Sequence, residues 1–228
     1  MKKIIRTVRF ISLLITSGFL ASVHAATTDT QLWTSFAASG PMSDSRLLFW
    51  FDGHARFGDD VSELNTSIIR PALGWQAMLN TSWWLGYARV TGHAADPNIE
   101  EDRVWQQALY RVGELAGGQL SARTRLEQRF RDEDNDVGVR LRQFFRWSKP
   151  YSESSLSTVI ANELFINLND ADWGQSDGYN QNRLFLGVNV EISQNYRFEF
   201  GYVNNHINRK GGENHLNHVL SGSVVMSW

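Results

Sequence analysis

The sequence predicts an all-β fold, an antiparallel up-and-down transmembrane β-barrel, and three observations support this prediction. Period-two alternation of apolar and polar residues recurs along most of the chain, whereas helical periodicity is nearly absent. The alternating stretches exceed the roughly 5–6 residues usual for strands and match the roughly 9–11 tilted residues that cross a bilayer. Finally, the last stretch alternates up to a C-terminal aromatic residue, Trp228.

The composition excludes several other classes of protein. The chain has 228 residues with 9 Trp, 13 Phe and 6 Tyr, which argues against a disordered chain. It contains no cysteine, so it holds neither a disulfide scaffold nor a thiolate zinc site. With 22 Lys and Arg against 24 Asp and Glu, it is not a strongly basic nucleic-acid binder.

The first 25 residues predict a cleaved signal peptide. The positive start consists of Lys2, Lys3, Arg6 and Arg9. The apolar run that follows, 10–21, is shorter than the roughly 20 residues of a membrane span, and small or aliphatic residues at Val23 and Ala25 predict cleavage after Ala25. The alternative is a retained membrane anchor. Without this segment, 18 Lys and Arg face 24 Asp and Glu, so the exported chain carries a net charge of −6.

Alternation is clearest in 119–131 and 137–147, where arginines occupy one face and aliphatic or aromatic residues the other. The candidate strands are 31–38, 46–57, 67–77, 82–91, 103–111, 119–131, 137–147, 155–166, 182–191, 195–204 and 216–228. A barrel with both ends in the periplasm needs an even number of strands. We therefore expect ten strands, with twelve as the alternative. On this count, 46–228 is the barrel domain and 26–45 is an N-terminal leader or a first strand.

The connections and the tryptophans fit this arrangement. Segments 92–102, 167–181 and 205–215 are long and polar and fall outside, whereas 78–81 and 191–195 are short and fall in the periplasm. Tryptophans near the ends of the stretches are expected in aromatic girdles at the membrane surfaces. They are Trp50, Trp75, Trp83, Trp84, Trp105 and Trp147.

The C-terminal strand carries an expected insertion signal. Val224, Met226 and Trp228 share one face and end on the final aromatic residue. This pattern resembles the signature by which bacterial outer-membrane barrels are recognised for insertion. The sequence therefore predicts export to the cell outer membrane of a Gram-negative bacterium. The expected partners are outer-membrane lipid and the barrel-insertion machinery, and no nucleic acid is expected.

Several motifs resemble those of a bacterial family known as domain of unknown function 2490 (DUF2490). The most specific are Arg123-Thr124-Arg125-Leu126-Glu127-Gln128-Arg129 and Asn182-Arg183-Leu184-Phe185-Leu186-Gly187. The resemblance extends from about Trp33 to the end of the chain. It implies an outer-membrane β-barrel, and it implies no established activity, cofactor or catalytic residue.

If the apolar face of each alternating strand points outward, the charged side chains of the opposite face line the lumen. The candidates are Arg123, Arg125, Glu127, Arg129, Arg140, Arg142, Arg146, Glu163, Arg183, Arg197 and Glu199. If arginines pair with glutamates, they fill a narrow barrel and the role is structural or interaction-based, which is the interpretation we favour. The alternative is a narrow anion-preferring channel or a binder of small anionic solutes, because the arginines outnumber the glutamates.

Catalysis and metal binding have weaker support, so neither a metal nor a cofactor is expected and an enzyme is not favoured. A lipid-modifying enzyme would need a serine and a histidine within hydrogen-bond reach. His215 and His218 have the wrong spacing to Ser221 on one strand, although a pair between neighbouring strands stays possible. His206, His215 and His218 with Glu213 do not share a face that would hold a metal ion.

Three polar residues fall on the outward phase, where they would face hydrocarbon. They are Gln128, Gln143 and Asn162, on three consecutive predicted strands. Such groups are costly in that position. We expect either a local bulge that reverses the phase or a contact with a partner or a second copy of the chain.

Overall fold

The structure is a computed structural model that describes residues 26–132 and 134–228, so the predicted signal peptide lies outside the described residues. Within the described residues, eleven strands close into one barrel. They are β1 (Ala26–Pro41), β2 (Leu47–Gly58), β3 (Glu63–Met78), β4 (Thr81–Gly92), β5 (Ile99–Leu115), β6 (Gly118–Arg131), β7 (Gly138–Pro150), β8 (Leu156–Asn167), β9 (Gly178–Glu191), β10 (Tyr196–Ile207) and β11 (Asn214–Ser227). This confirms the predicted all-β barrel.

The barrel closes through a parallel pair of strands. Each strand is antiparallel to its neighbours in sequence, but β1 runs parallel to β11, from Ala26 opposite Asn214 to Ser39 opposite Ser227. The number of strands is therefore eleven rather than ten, and residues 26–41 form a strand instead of a leader. The expected even count assumed that both ends lie on one side. The parallel pair removes that requirement and places Ala26 and Trp228 at opposite ends of the barrel.

The two ends of the barrel differ in their connections. One end, the short-turn end, carries 42–46, 79–80, 116–117, 151–155 and 192–195, and Trp228 lies there. The other, the long-loop end, carries 59–62, 93–98, 132–137, 168–177 and 208–213. The longest connections thus share one end, which is the asymmetry that the sequence predicts.

Alternation along the strands divides the side chains between an inward and an outward face. On β3, Ile68 and Ala72 are buried, whereas the residues that follow each of them, Ile69 and Leu73, are 57% and 58% exposed. The same pattern of exposed aliphatic side chains continues at Leu220 on β11. Successive side chains of a strand point to opposite faces, so the outer wall of the barrel is largely apolar. Within the described residues, no helix is long and apolar enough to cross a membrane.

Only some of the tryptophans occupy the girdle position that the sequence predicts. Trp75 and Trp83 are exposed on the outer wall near the short-turn end. Trp84 and Trp105 are buried, and Trp50 packs edge-to-face on Trp84 with 5.6 Å between ring centroids. The girdle prediction is wrong for these three because each lies on the inward phase of its strand.

Glycines on the neighbouring strands make room for the two buried rings. A Cβ atom at Gly74 would collide with the Trp84 ring, and one at Gly86 would collide with the Trp105 ring. The inward tryptophans therefore depend on close approach to the backbone of the adjacent strand.

Candidate functional site

Five side chains fill the middle of the lumen, and we call them the lumen plug. They are Trp105 and Gln107 on β5, Arg125 and Glu127 on β6, and Phe165 on β8. Each is at most 1% exposed. Because inward positions recur at every second residue, neighbouring strands bring these residues together at one level of the barrel.

Glu127 is the shared carboxylate of the lumen plug. It accepts hydrogen bonds from Arg140 and Arg142, each at 2.7 Å. The Arg125 guanidinium donates to Gln107 Oε1 at 2.6 and 2.9 Å and stacks 4.0 Å from the centre of the Trp105 ring. The Nη1 atom of Arg125 lies 3.6 Å from Glu127 and, like Gln107 Nε2 and Trp105 Nε1, is buried without a hydrogen-bond partner. A buried charge is tolerated when it is paired and hydrogen-bonded, and Glu127 with its two arginines meets this condition.

The ion pairs extend from the lumen plug towards both sides of the barrel. Glu163 on β8 accepts from Arg123 at 2.6 Å and from Arg142 at 2.7 Å, so Arg142 links two carboxylates. Glu101 on β5 accepts from Arg129 at 2.7 Å. A guanidinium can donate in several directions within one plane, which suits it to such shared pairs.

A mouth pocket of about 470 Å³ lies on the long-loop side of the lumen plug. It is lined by Arg129, Arg131 and Arg140 and by the loops 168–177 and 208–213. Arg131 donates to the Trp173 carbonyl oxygen at 3.0 Å, which ties the longest loop to the barrel wall.

Two charged side chains join the loops above the mouth pocket. Lys210 donates to Asp177 at 2.8 Å. This hydrogen bond lowers the pKa of the Asp177 carboxyl and raises the pKa of Lys210. Both groups are well exposed, so the pair is a weak link between the loops.

A second space, the inner cavity, has a volume of about 220 Å³ and shares Arg142 and Glu163 with the ion pairs around the lumen plug. Along the inward side of β6, Arg131 and Arg129 line the mouth pocket, Glu127 and Arg125 belong to the plug, and Arg123 lines the inner cavity. The cavity thus lies beside the plug, and its remaining walls come from β1, β2, β3, β9 and β11. The arginines that line the inner cavity are Arg56, Arg70, Arg123, Arg142 and Arg183.

The wall of the inner cavity on β1 and β11 is different in character. It presents Trp33, Ser35, Ser221 and Ser223, and the hydroxyls of Ser35 and Ser223 lie 2.7 Å apart. Among the described residues that line the inner cavity, the only carboxylate is Glu163. The cavity is thus rich in hydrogen-bond donors and poor in negative charge.

The structure brings most of the sequence-predicted site residues into the lumen. Arg129 and Arg140 line the mouth pocket, Arg125 and Glu127 form part of the plug, and Arg123, Arg142, Glu163 and Arg183 line the inner cavity. Near the short-turn end, Glu199 pairs with Arg146 at 2.5 Å. Arg197 is exposed at that end.

The residues of the expected insertion signal lie on the outer wall. Trp228 is 47% exposed and donates from its ring nitrogen to the Pro41 carbonyl oxygen at 3.1 Å. Val224 and Met226 share its face. Their role in insertion stays a prediction.

Sequence reasoning missed the lumenal residues of β2, β3 and part of β5. Asp52 accepts from Arg70 at 2.7 Å and from the Trp50 ring nitrogen at 2.6 Å. Arg56 lines the inner cavity. Aromatic or aliphatic residues occupy both faces of β2 and β3, which hides the phase, so only the spacing of Asp52 and Arg56 indicated an inward polar face.

A serine and a histidine on neighbouring strands do meet, but on the outer wall. Ser67 Oγ lies 2.9 Å from His93 Nε2. Within the described residues, no carboxylate hydrogen-bonds to His93, so this pair lacks the third group that orients a catalytic histidine.

The histidines near the long-loop end are held separately. His206 contacts Tyr179 at 2.9 Å, His215 contacts Thr27 at 3.0 Å, and His218 contacts Tyr202. No group of three or more potential metal ligands occurs in the part of the chain that the structure describes.

The three outward polar residues keep the phase that the sequence predicts, so a phase-reversing bulge is not the explanation. Each forms a hydrogen bond with a side chain of an adjacent strand. The bonds are Gln106 with Gln128 at 3.1 and 3.2 Å, Thr124 to Gln143 at 2.7 Å, and Asn162 with Asn182 at 3.0 and 3.2 Å. Lateral pairing lowers the cost of placing amides on an apolar wall.

Comparison with known proteins gives a family and a relative. The profile of the family described as "Protein of unknown function (DUF2490)" matches residues 30–217. An uncharacterized protein of Methylorubrum extorquens is 35% identical over 218 residues, which cover 94% of each chain.

The comparison with solved structures gives a more distant match. The siderophore receptor PirA of Pseudomonas aeruginosa shares 13% identity with a TM-score of 0.31, over 73% of this chain. The match spans 32% of the receptor, and at this level of similarity it carries no argument about fold or function.

Proposed function

The chain belongs to the family described as a protein of unknown function, DUF2490, and we propose that it is an integral outer-membrane β-barrel whose lumen is closed by its own side chains. Its role would then be structural or interaction-based in the membrane, with no continuous passage for solutes.

The outer wall supports a position within a membrane. Ile69, Leu73, Leu85 and Leu220, on β3, β4 and β11, are each more than half exposed. Water-soluble monomers rarely expose contiguous apolar patches larger than a few hundred Å². A closed barrel also pairs all of its strand edges, which a membrane requires. The expected signal peptide and C-terminal aromatic favour the outer membrane over other membranes.

The lumen plug is the single observation that carries the closed state. Its five side chains are at most 1% exposed, and the two arginines that pair with Glu127, Arg140 and Arg142, are buried almost as deeply. Barrels of eight strands are filled by side chains, whereas barrels of 16–18 strands leave an aqueous channel. Eleven strands filled with large arginine, tryptophan and phenylalanine side chains fall on the closed side. For this reason we do not favour the anion-preferring channel.

Fractionation and conductance test this proposal together. The full chain expressed in a Gram-negative host should require detergent for extraction and should migrate differently on gels before and after heating. In planar bilayers the wild-type barrel should give no discrete conductance steps. The double variant Arg125→Ala, Glu127→Ala should give such steps, because it removes two side chains of the lumen plug. Conductance by the wild type would contradict a closed lumen, and extraction without detergent would contradict the membrane position.

A further inference from the structure

We infer that the inner cavity is a binding site for a small oxyanion, of the carboxylate or phosphate class, held by Arg56 together with Arg123 and Arg183. This inference rests on the proposed closed barrel, because a closed lumen makes the inner cavity a blind site rather than part of a passage.

The charge balance of the inner cavity points to an anion. Three of its five arginines depend on one carboxylate: Arg123 lies 2.6 Å from Glu163, Arg142 lies 2.7 Å from it, and Arg183 approaches only to 4.0 Å. Arg142 also pairs with Glu127 in the plug, and Arg70 pairs with Asp52. Arg142 thus has two carboxylate partners, whereas Arg183 has only one distant partner and is poorly neutralised.

Arg56 is the arginine whose charge is least satisfied. It forms no ion pair with any described residue, and its Nε atom is buried without a hydrogen-bond partner. The Nε atom of Arg123, which lines the same cavity, is also buried without a partner. A buried donor that lacks a partner is costly. Trp105, Gln107 and Arg125 in the plug also carry such donors, but Arg56 and Arg123 line an open space in which a ligand can supply the missing acceptors.

Trp33 holds two of these guanidiniums in place. The Arg56 guanidinium carbon lies 4.2 Å from the centre of the Trp33 ring, and that of Arg183 lies 4.8 Å from it. Stacking on an aromatic ring fixes the plane of a guanidinium while leaving its N–H groups free to donate. The site is therefore largely formed before a ligand arrives.

The size and chemistry of the cavity define the class of ligand. A volume of about 220 Å³ is smaller than the pockets of roughly 300–1,000 Å³ that hold drug-sized ligands, so it suits a small ion with a few water molecules. Guanidinium groups recognise carboxylates and phosphates through two parallel hydrogen bonds, which a spherical halide cannot accept. The hydroxyls of Ser221 and Ser223 add further donors.

Equilibrium dialysis of the purified full-length barrel with radiolabelled inorganic phosphate tests this inference. We expect saturable binding of one phosphate per chain. Arg56→Gln should weaken binding at least tenfold, and Arg56→Lys should weaken it less, because lysine keeps the charge but loses the planar donor pair. The matched control is Arg146→Gln, which removes a lumenal arginine outside the lining of the cavity and should change affinity less than twofold.

Competition with unlabelled salts at equal ionic strength identifies the preferred anion. Acetate that displaces phosphate more effectively than unlabelled phosphate does would identify a carboxylate ligand, and the reverse would identify a phosphate. Both results support an oxyanion site, whereas equal displacement by chloride would overturn it. Unsaturable binding, or equal affinity of Arg56→Gln and the wild type, would overturn it as well.

Two further measurements keep the outcomes separate. The heat-dependent gel shift establishes that each variant is folded, and Trp33→Leu serves as a second test if Arg56→Gln does not fold. Trp33→Leu keeps every charge but removes the stacking surface, so binding should weaken severalfold, and unchanged binding would overturn the inference.

Conductance by the wild type would refute the closed lumen while leaving an Arg56-dependent site intact. Absent conductance together with absent phosphate binding would refute the site and leave the closed barrel standing.

Discussion

The lumen plug and the inner cavity share strands β6 and β8 and both contain arginines, yet these arginines are neutralised differently. In the plug, Glu127 accepts from two arginines and Gln107 accepts from Arg125. In the inner cavity, three arginines depend on Glu163, and Arg56 has no ion pair among the described residues.

The difference follows from the side chains that share each level of the lumen. Trp105 and Phe165 fill the plug with large rings, and the Glu127 carboxylate between them is held by two arginines at 2.7 Å. The inner cavity faces the hydroxyls of Ser35 and Ser223 instead, which leave space for solvent or for an anion. Alternation thus determines which residues face inward, and the size of the inward side chains on the facing strands determines whether space remains in the lumen.

We expect the largest loss of stability when the central carboxylate of the plug, Glu127, is removed. Glu127→Gln leaves the buried Arg140 without a carboxylate partner and leaves Arg142 with Glu163 alone. Breaking a buried ion pair costs about 3–5 kcal/mol, so we expect that loss in the free energy of unfolding, measured by urea titration of tryptophan fluorescence.

The matched control for that change is Glu199→Gln. Its ion pair with Arg146 is 20–25% exposed, so the loss should be about 1 kcal/mol or less. Equal losses in the two variants would show that the plug is not more strongly desolvated than the short-turn end of the lumen.

A smaller effect is expected at the carboxylate of the inner cavity. Glu163→Gln also removes a shared acceptor and leaves Arg123 without an ion pair, but the adjoining cavity of about 220 Å³ has room for water beside the freed guanidinium. We expect a loss of about 1–3 kcal/mol.

Phosphate should distinguish the two glutamates. It should restore much of the loss in Glu163→Gln, because this variant has a larger excess of positive charge in the cavity, and little of the loss in Glu127→Gln. Thermal or urea unfolding with and without phosphate measures this difference, and equal restoration in both variants would argue against a distinction between plug and cavity.

The outer wall should respond less than the lumen. In Gln106→Leu, Gln128→Leu, both partners of one lateral hydrogen bond become apolar on a wall that the proposed membrane position places against lipid. Replacing both partners of a pair is close to neutral, so the change should stay within about 0.6 kcal/mol. A loss of several kcal/mol in lipid vesicles would indicate that this wall does not face hydrocarbon.

The smallest effect is expected at the loops. Lys210 lowers the pKa of Asp177, so the pair contributes stability above the ordinary pKa of an aspartate and loses it as the pH falls through the lowered value. The difference in stability between Asp177→Asn and the wild type should therefore stay constant from pH 7 to pH 5 and shrink below the ordinary value of 3.8. A difference that already changed between pH 7 and pH 5 would contradict the lowered pKa.

Part of this architecture could be predicted from the sequence because charge alternates strictly on some strands. On β6 every second residue from Arg123 to Arg131 is charged, and on β7 Arg140, Arg142 and Arg146 share one face, so the inward position of these arginines followed from the period alone. On β3 and β4, Ile68 and Ile69 or Trp83 and Trp84 are apolar on both faces, and the phase could not be read.

The inner cavity and the number of strands could not be predicted from the sequence, for two other reasons. Arg56 on β2 and Arg183 on β9 meet at Trp33 through the width of the lumen, and no sequence spacing reports such a contact. The strand count depended on an assumption about where the chain ends lie. The pairing of β1 with β11 could not be inferred from alternation, since a strand alternates in the same way whether its neighbour is parallel or antiparallel.

The parallel pair of β1 and β11 also determines how this barrel could be circularly permuted. Because Ala26 and Trp228 lie at opposite ends, a linker that joins them must run the full length of a strand. For the 14 residues of β11 that is roughly 45 Å at about 3.3 Å per residue. Without β1, the remaining ten strands would begin and finish at the short-turn end, and a short loop would suffice to join them.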